Sequence, residues 1–144
     1  MARLITSILI VISFQAYSQV KQDQLLLYNG LYETKCVVEK GNDEGGQDYL
    51  RFYANGKVIS VGTDCGGTAD DLKAWFHINA EQVSVGDYSV NGRKVKFSTK
   101  DKSGTVKYKG RVNRNGIMKL KWVSLINGTK GKSLYYFVNV DALS

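Results

Sequence analysis

The chain has 144 residues and a formal net charge of +7, with 20 Lys and Arg against 13 Asp and Glu, two Cys, one His and no Pro. That length suits one domain able to bury about two-thirds of its unfolded surface. One His and two Cys fall short of the four ligands of a structural zinc site, and neither a phosphate loop nor a His-Glu-x-x-His pair occurs, so no metal or cofactor is expected.

At the N-terminus, Arg3 precedes an apolar stretch over 4–14 that is interrupted only by Thr6, Ser7 and Ser13. Ala16-Tyr17-Ser18 then supplies small residues at the spacing signal peptidase requires. This is the layout of a secretory signal peptide over 1–18, with an uncleaved N-terminal anchor as the alternative. The stretch is shorter than the roughly 20 apolar residues of a membrane helix, and later apolar runs are broken by Lys, Asp, Asn or Gly. The expectation is a secreted or periplasmic protein with a single domain over 19–144 and no transmembrane segment after cleavage. In that compartment Cys36 and Cys65 are expected to pair as a disulfide. Two buried thiols are the alternative.

Glycine marks the turns. Asn55-Gly56, Asn91-Gly92, Asn115-Gly116 and Asn127-Gly128, with Ser103-Gly104, separate alternating segments. Asn-Gly suits the type I′ turn, which needs positive φ at both central residues. Nine candidate strands follow, over 31–39, 48–54, 57–63, 75–79, 83–90, 93–99, 105–112, 117–125 and 134–140. Val95 and Phe97 oppose Lys94 and Lys96; Val106, Tyr108 and Val112 oppose Lys107, Lys109 and Arg111; Met118, Leu120 and Trp122 oppose Lys119 and Lys121. Such period-2 patterning marks strands with one buried and one wet face. One helical turn is expected over 69–74, capped by Thr68 with Asp70 and Asp71 at its positive end. The polar stretch 41–47 reads as a loop. The fold class is therefore all-β, an antiparallel up-and-down meander of about eight or nine strands. Short hairpins favour a closed barrel over a sandwich, and closure removes exposed edges.

Asn29-Gly30-Leu31-Tyr32 at the first strand, and the hairpin series from Gly86-Asp87-Tyr88 to Trp122, resemble the lipocalin-like (calycin) barrels of small secreted bacterial proteins. The resemblance spans about 30–140. It implies a barrel with an interior able to hold a small ligand. In that family the opening motif is Gly-x-Trp, where this chain has Tyr32, and its partner Arg on the last strand has no counterpart over 134–140. The Arg-x-Tyr grip of the fatty-acid-binding branch is absent too.

Two surfaces follow from the alternation. The inward set, Phe52, Phe97, Tyr108, Trp122 and one of Tyr135 and Tyr136, with Tyr136 favoured, would line a ligand-binding interior for a small, partly apolar molecule. A filled core is the alternative. The outward set, Lys94, Lys96, Lys107, Lys109, Arg111, Lys119 and Lys121, would form an anion-binding face for a glycan or lipid headgroups. A solubilising face is the alternative. The charge is uneven: residues 1–90 carry a net −4 and residues 91–144 a net +11. Nucleic acid is disfavoured as a partner, because the aromatics that would stack on bases lie on the opposite side. His77 alternates with Trp75 and is expected to be partly buried and structural. No nucleophile elbow occurs, so the chain is expected to be a binding protein, not an enzyme. The acidic groups Asp64, Asp70 and Asp71, and Asn42, Asp43, Glu44 and Asp48, lack EF-hand spacing and read as polar loops.

Overall fold

A computed structural model describes residues 25–41 and 43–143; the expected signal peptide lies outside the described residues. Eight antiparallel strands run in chain order: β1 Gly30–Thr34, β2 Gln47–Phe52, β3 Lys57–Thr63, β4 Ser84–Asn91, β5 Lys94–Asp101, β6 Gly104–Val112, β7 Ile117–Ser124 and β8 Lys130–Asn139. Each pairs with the next, and β8 returns to β1 to close the barrel. Asn-Gly pairs stand in the β2–β3, β4–β5, β6–β7 and β7–β8 turns, with Gly56, Gly92, Gly116 and Gly128 at positive φ. The preceding Asn residues keep negative φ, so these are not the expected type I′ turns, and glycine alone takes the left-handed conformation.

Neighbouring strands approach closely at positions where a side chain would not fit. A Cβ on Gly86 would lie 1.6 Å from the Ser98 carbonyl oxygen, and one on Gly110 would lie 1.8 Å from that of Lys119. Glycine lets the neighbouring backbones approach there, as barrel corners require.

The up-and-down course gives the barrel two ends. At one end Leu25, Leu26 and Tyr28 pack beneath Tyr32, Phe52, Val58 and Met118. Tyr32 is fully buried, its hydroxyl accepts the Leu27 N–H at 3.0 Å, and its ring meets Phe52 and Phe137 edge-on. Tyr88 donates to the Tyr53 carbonyl at 2.7 Å, which leaves Tyr28 to donate to Tyr88 at 2.9 Å. This end is sealed. The β1–β2, β3–β4, β5–β6 and β7–β8 connections all gather at the other, open end.

A second apolar layer lies outside the barrel, where Leu31, Tyr49, Ile59 and Val61 of β1 to β3 are covered by Leu72, Phe76, Val83 and Leu143. The cover is the β3–β4 segment, with α1 Ala69–Leu72 continuing into a 3₁₀ turn, Lys73–Trp75. Thr68 caps α1 as expected, in a capping box with Asp71. Arg51 latches the cover, donating to the carbonyls of Phe76 at 2.7 Å and Leu143 at 3.3 Å.

Segment 75–79 is not the ninth strand. β3 and β4 hydrogen-bond directly to each other, so no ladder position remains between them. Phe76 is fully buried against Tyr49, whereas Trp75 is 47 % exposed and His77 is exposed as well, contrary to the expected half-buried histidine. β1 is also shorter than expected. After Thr34 the chain turns away, Val37 bridges to Gly46, and the Cys36–Cys65 disulfide ties the loop to the end of β3. No described helix is long and apolar enough to cross a membrane.

Candidate functional site

Strand alternation separates two candidate sites, one inside the open end and one on the outer face of β5 to β8. The inner one is built from side chains alternating with the covered outer layer. Phe52, Phe97, Tyr108 and Trp122 point inward, as the alternation predicts. The last strand differs from expectation: Tyr135 turns inward and is 1 % exposed, while Tyr136 lies on the outer face under the Lys35 ammonium. Adjacent tyrosines must take opposite faces, and the register that pairs Tyr135 with buried Met118 chooses between them.

Toward the open end the interior gains the hydroxyls of Ser60, Ser84, Thr99 and Ser133. Phe97 and Tyr108 stack with ring centroids 4.6 Å apart, and the Tyr108 hydroxyl lies 3.5 Å from that of Ser60. The Trp122 indole N–H donates to Ser133 at 3.1 Å; its ring crosses Gly131, where any Cβ would collide at 2.6 Å. Ser84 donates to Asp101 at 2.5 Å. The Thr99 hydroxyl is buried, with the residue 1 % exposed; it makes no well-formed hydrogen bond among the described residues, although the Tyr108 phenol approaches it. Asp48 stands on the inward side of β2 with Leu50 and Phe52. It keeps contact with solvent at the mouth, yet enclosure by the walls raises its carboxyl above the usual aspartate value. Burial, reinforced by the charge of Asp48, raises the Tyr135 phenol, and burial likewise raises that of Tyr108.

The interior thus holds aromatic rings, hydroxyls and carboxylates, and no inward position of the eight strands carries Lys or Arg. It is suited to neutral or cationic groups and has no counter-charge for an acid. Asp48, Ser60, Thr99 and Ser133 escape a reading based on apolar patterning. The alternation of Asp48 with Leu50 and Phe52 is the signal that would have found the first.

The wall is incomplete on one side. β8 pairs with β7 from Lys130 onward but with β1 only from Tyr135, because β1 stops at Thr34. A lateral opening of about 660 Å³ results, lined by inward Asp48, Trp122 and Ser133 and by outward Lys132, Leu134 and Tyr136.

On the outer face all seven expected cations are exposed, and Lys100, Lys130 and Lys132 join them. They form rows across the strands. Lys96, Lys109, Lys121 and Lys132 stand opposite one another in one row, and Lys94, Arg111 and Lys119 in the next. A groove of about 870 Å³ runs between these rows and reaches Lys132, Ser133 and Leu134, where it meets the lateral opening. Among the described residues none of these cations is paired with a carboxylate; the ion pair nearby is Lys57–Asp87, at 2.6 Å. Among the described residues no three His, Cys, Asp or Glu side chains assemble as metal ligands.

No family model matches this chain, and no curated protein matches it.

Proposed function

We propose that this protein is an exported, non-enzymatic barrel of the lipocalin-like kind that holds a small, partly apolar, non-anionic molecule in the open half of its interior. One observation carries the reading. The Thr99 hydroxyl is buried and makes no well-formed hydrogen bond among the described residues, although the Tyr108 phenol approaches it; a buried hydroxyl left short of a full partner costs about 1 to 3 kcal/mol. A ligand hydroxyl, carbonyl or amine reaching that depth would relieve the cost. The apolar part of the ligand would lie against Trp122 and Phe97, with Asp48 at the mouth. The lateral opening supplies a route of entry that leaves the sealed end undisturbed.

The test is fluorescence titration of Trp122 with amphiphiles of one chain length and neutral, cationic or anionic heads, in a Trp75→Phe background. Saturable quenching by the neutral or cationic members, weakened in Thr99→Val, supports the proposal. Equal binding of all three, or no binding together with native mass spectra free of any adduct, overturns it.

A further inference from the structure

The outer face of β5 to β8 is one-signed beyond what alternation demands. Its outward positions carry ten cations and no carboxylate: Lys94, Lys96 and Lys100 on β5; Lys107, Lys109 and Arg111 on β6; Lys119 and Lys121 on β7; Lys130 and Lys132 on β8. The one acidic residue of these strands, Asp101, turns inward to Ser84. A merely solubilising face mixes signs, since like charges directly opposite each other destabilise a sheet.

The second observation is where the basic rows end. Followed toward the open end, the outward positions of β7 change from Lys119 and Lys121 to Val123, which stands between Lys107 and Lys130. Leu125 and Ile126 follow in the β7–β8 turn. These three aliphatics are 40 %, 56 % and 53 % exposed. The turn is held in place: the Leu125 N–H donates to the Thr105 carbonyl at 2.8 Å, and Ser124 Oγ accepts the Ile126 N–H at 3.3 Å. An apolar tip is thus presented rigidly at the edge of a cationic face.

We infer that this face docks on an anionic lipid bilayer, with the lysine rows against the headgroups and the Leu125–Ile126 turn dipping into the acyl boundary. The charge alone would serve any polyanion. The tip decides the class, because exposed aliphatics have no partner on a sulfated glycan or a nucleic acid but gain from entering the interface. The rings that a nucleic acid would need for stacking, Phe97, Tyr108 and Trp122, are inside the barrel. Each Lys or Arg near an anionic leaflet strengthens binding by a factor of about five, and the factors multiply until screened by salt.

The test is co-sedimentation of the purified protein with vesicles of phosphatidylcholine alone or mixed in equal parts with phosphatidylglycerol, with heparin retention measured alongside. The inference expects binding to the mixed vesicles only, a loss of about 100-fold or more in Lys109→Glu/Lys121→Glu, and a weakening in Leu125→Ser/Ile126→Ser that leaves heparin retention unchanged. Near-ultraviolet circular dichroism verifies that both variants fold. Retention on heparin or nucleic acid without vesicle binding overturns it, as does vesicle binding indifferent to the tip. Neither result bears on ligand binding inside the barrel, which the Trp122 titration reads separately.

Discussion

Lys109 and Lys121 stand directly opposite each other on the outer surface of β6 and β7, with Lys96 and Lys132 extending the row on either side. Repulsion between facing like charges costs a few tenths of a kcal/mol to about 1 kcal/mol per pair. Lys121→Glu converts two repulsive contacts into attractive ones. It is expected to raise stability by about 0.5 to 1 kcal/mol at low ionic strength and to lose that gain near 1 M salt, where the Debye length is about 3 Å. Urea denaturation at the two salt levels measures this. An unchanged midpoint at low salt would show that the row carries no strain.

The disulfide anchors the flared loop between β1 and β2. Cys36 and Cys65 are separated by 29 residues, with Cα atoms 5.5 Å apart. A bridge closing a loop of that size stabilises by about 3 to 4 kcal/mol in the chain-entropy account. The double variant Cys36→Ser/Cys65→Ser should lose that much. Its amide exchange should rise first over 35–46, where the Val37–Gly46 bridge and the bond from the Cys65 N–H to the Glu44 carbonyl are among the ties that remain. Uniform loss of protection across the barrel would contradict a local role for the bridge.

Asp48 makes stability depend on pH in a definite direction. Its folded carboxyl titrates above the usual value of 3.8 because the barrel walls desolvate it. The folded state therefore holds the proton to higher pH than the unfolded chain does. The resulting penalty is absent below the unfolded value and grows as pH rises through the folded one. Asp48→Asn is expected to raise the melting temperature at pH 7 and to have no effect at pH 3. A variant less stable at pH 7 would mean that the carboxylate has a stabilising partner.

Tyr32 closes the sealed end with both its ring and its hydroxyl. Tyr32→Phe removes the hydroxyl that accepts the Leu27 N–H, at a cost of about 1 kcal/mol. Tyr32→Ala also empties the space between Phe52 and Phe137, for about 3 to 5 kcal/mol. Chemical denaturation separates the two. Equal losses would locate the whole effect in the hydrogen bond.

Gly110 is expected to tolerate no side chain. A Cβ there meets the Lys119 carbonyl oxygen and Leu120 Cα, both backbone atoms that cannot rotate away. Gly110→Ala should therefore cost well beyond the roughly 0.5 kcal/mol that bounds an ordinary surface change, and should split the β6–β7 pairing. Thermal melts and amide exchange on Lys109 to Leu120 read both effects.

The sequence by itself determined the all-β class, the hairpin order and the sidedness of the lysines. Those properties are local: Asn-Gly marks the β2–β3, β4–β5, β6–β7 and β7–β8 turns, and period-2 alternation from Lys94 to Trp122 assigns each side chain a face whatever lies beyond it. It also supplied the two cysteines that the fold joins. Tertiary structure alone decided that Tyr135 and not Tyr136 faces inward, since neighbouring tyrosines give opposite answers until the pairing with β7 sets the register. It decided that Phe76 is buried and that no strand occupies 75–79, because direct pairing of β3 with β4 removes the partner such a strand would need. The same holds for the lateral opening and for the burial of the Thr99 hydroxyl beside the Tyr108 phenol. Both depend on which strands meet and where each one stops, and that is settled only when the barrel closes.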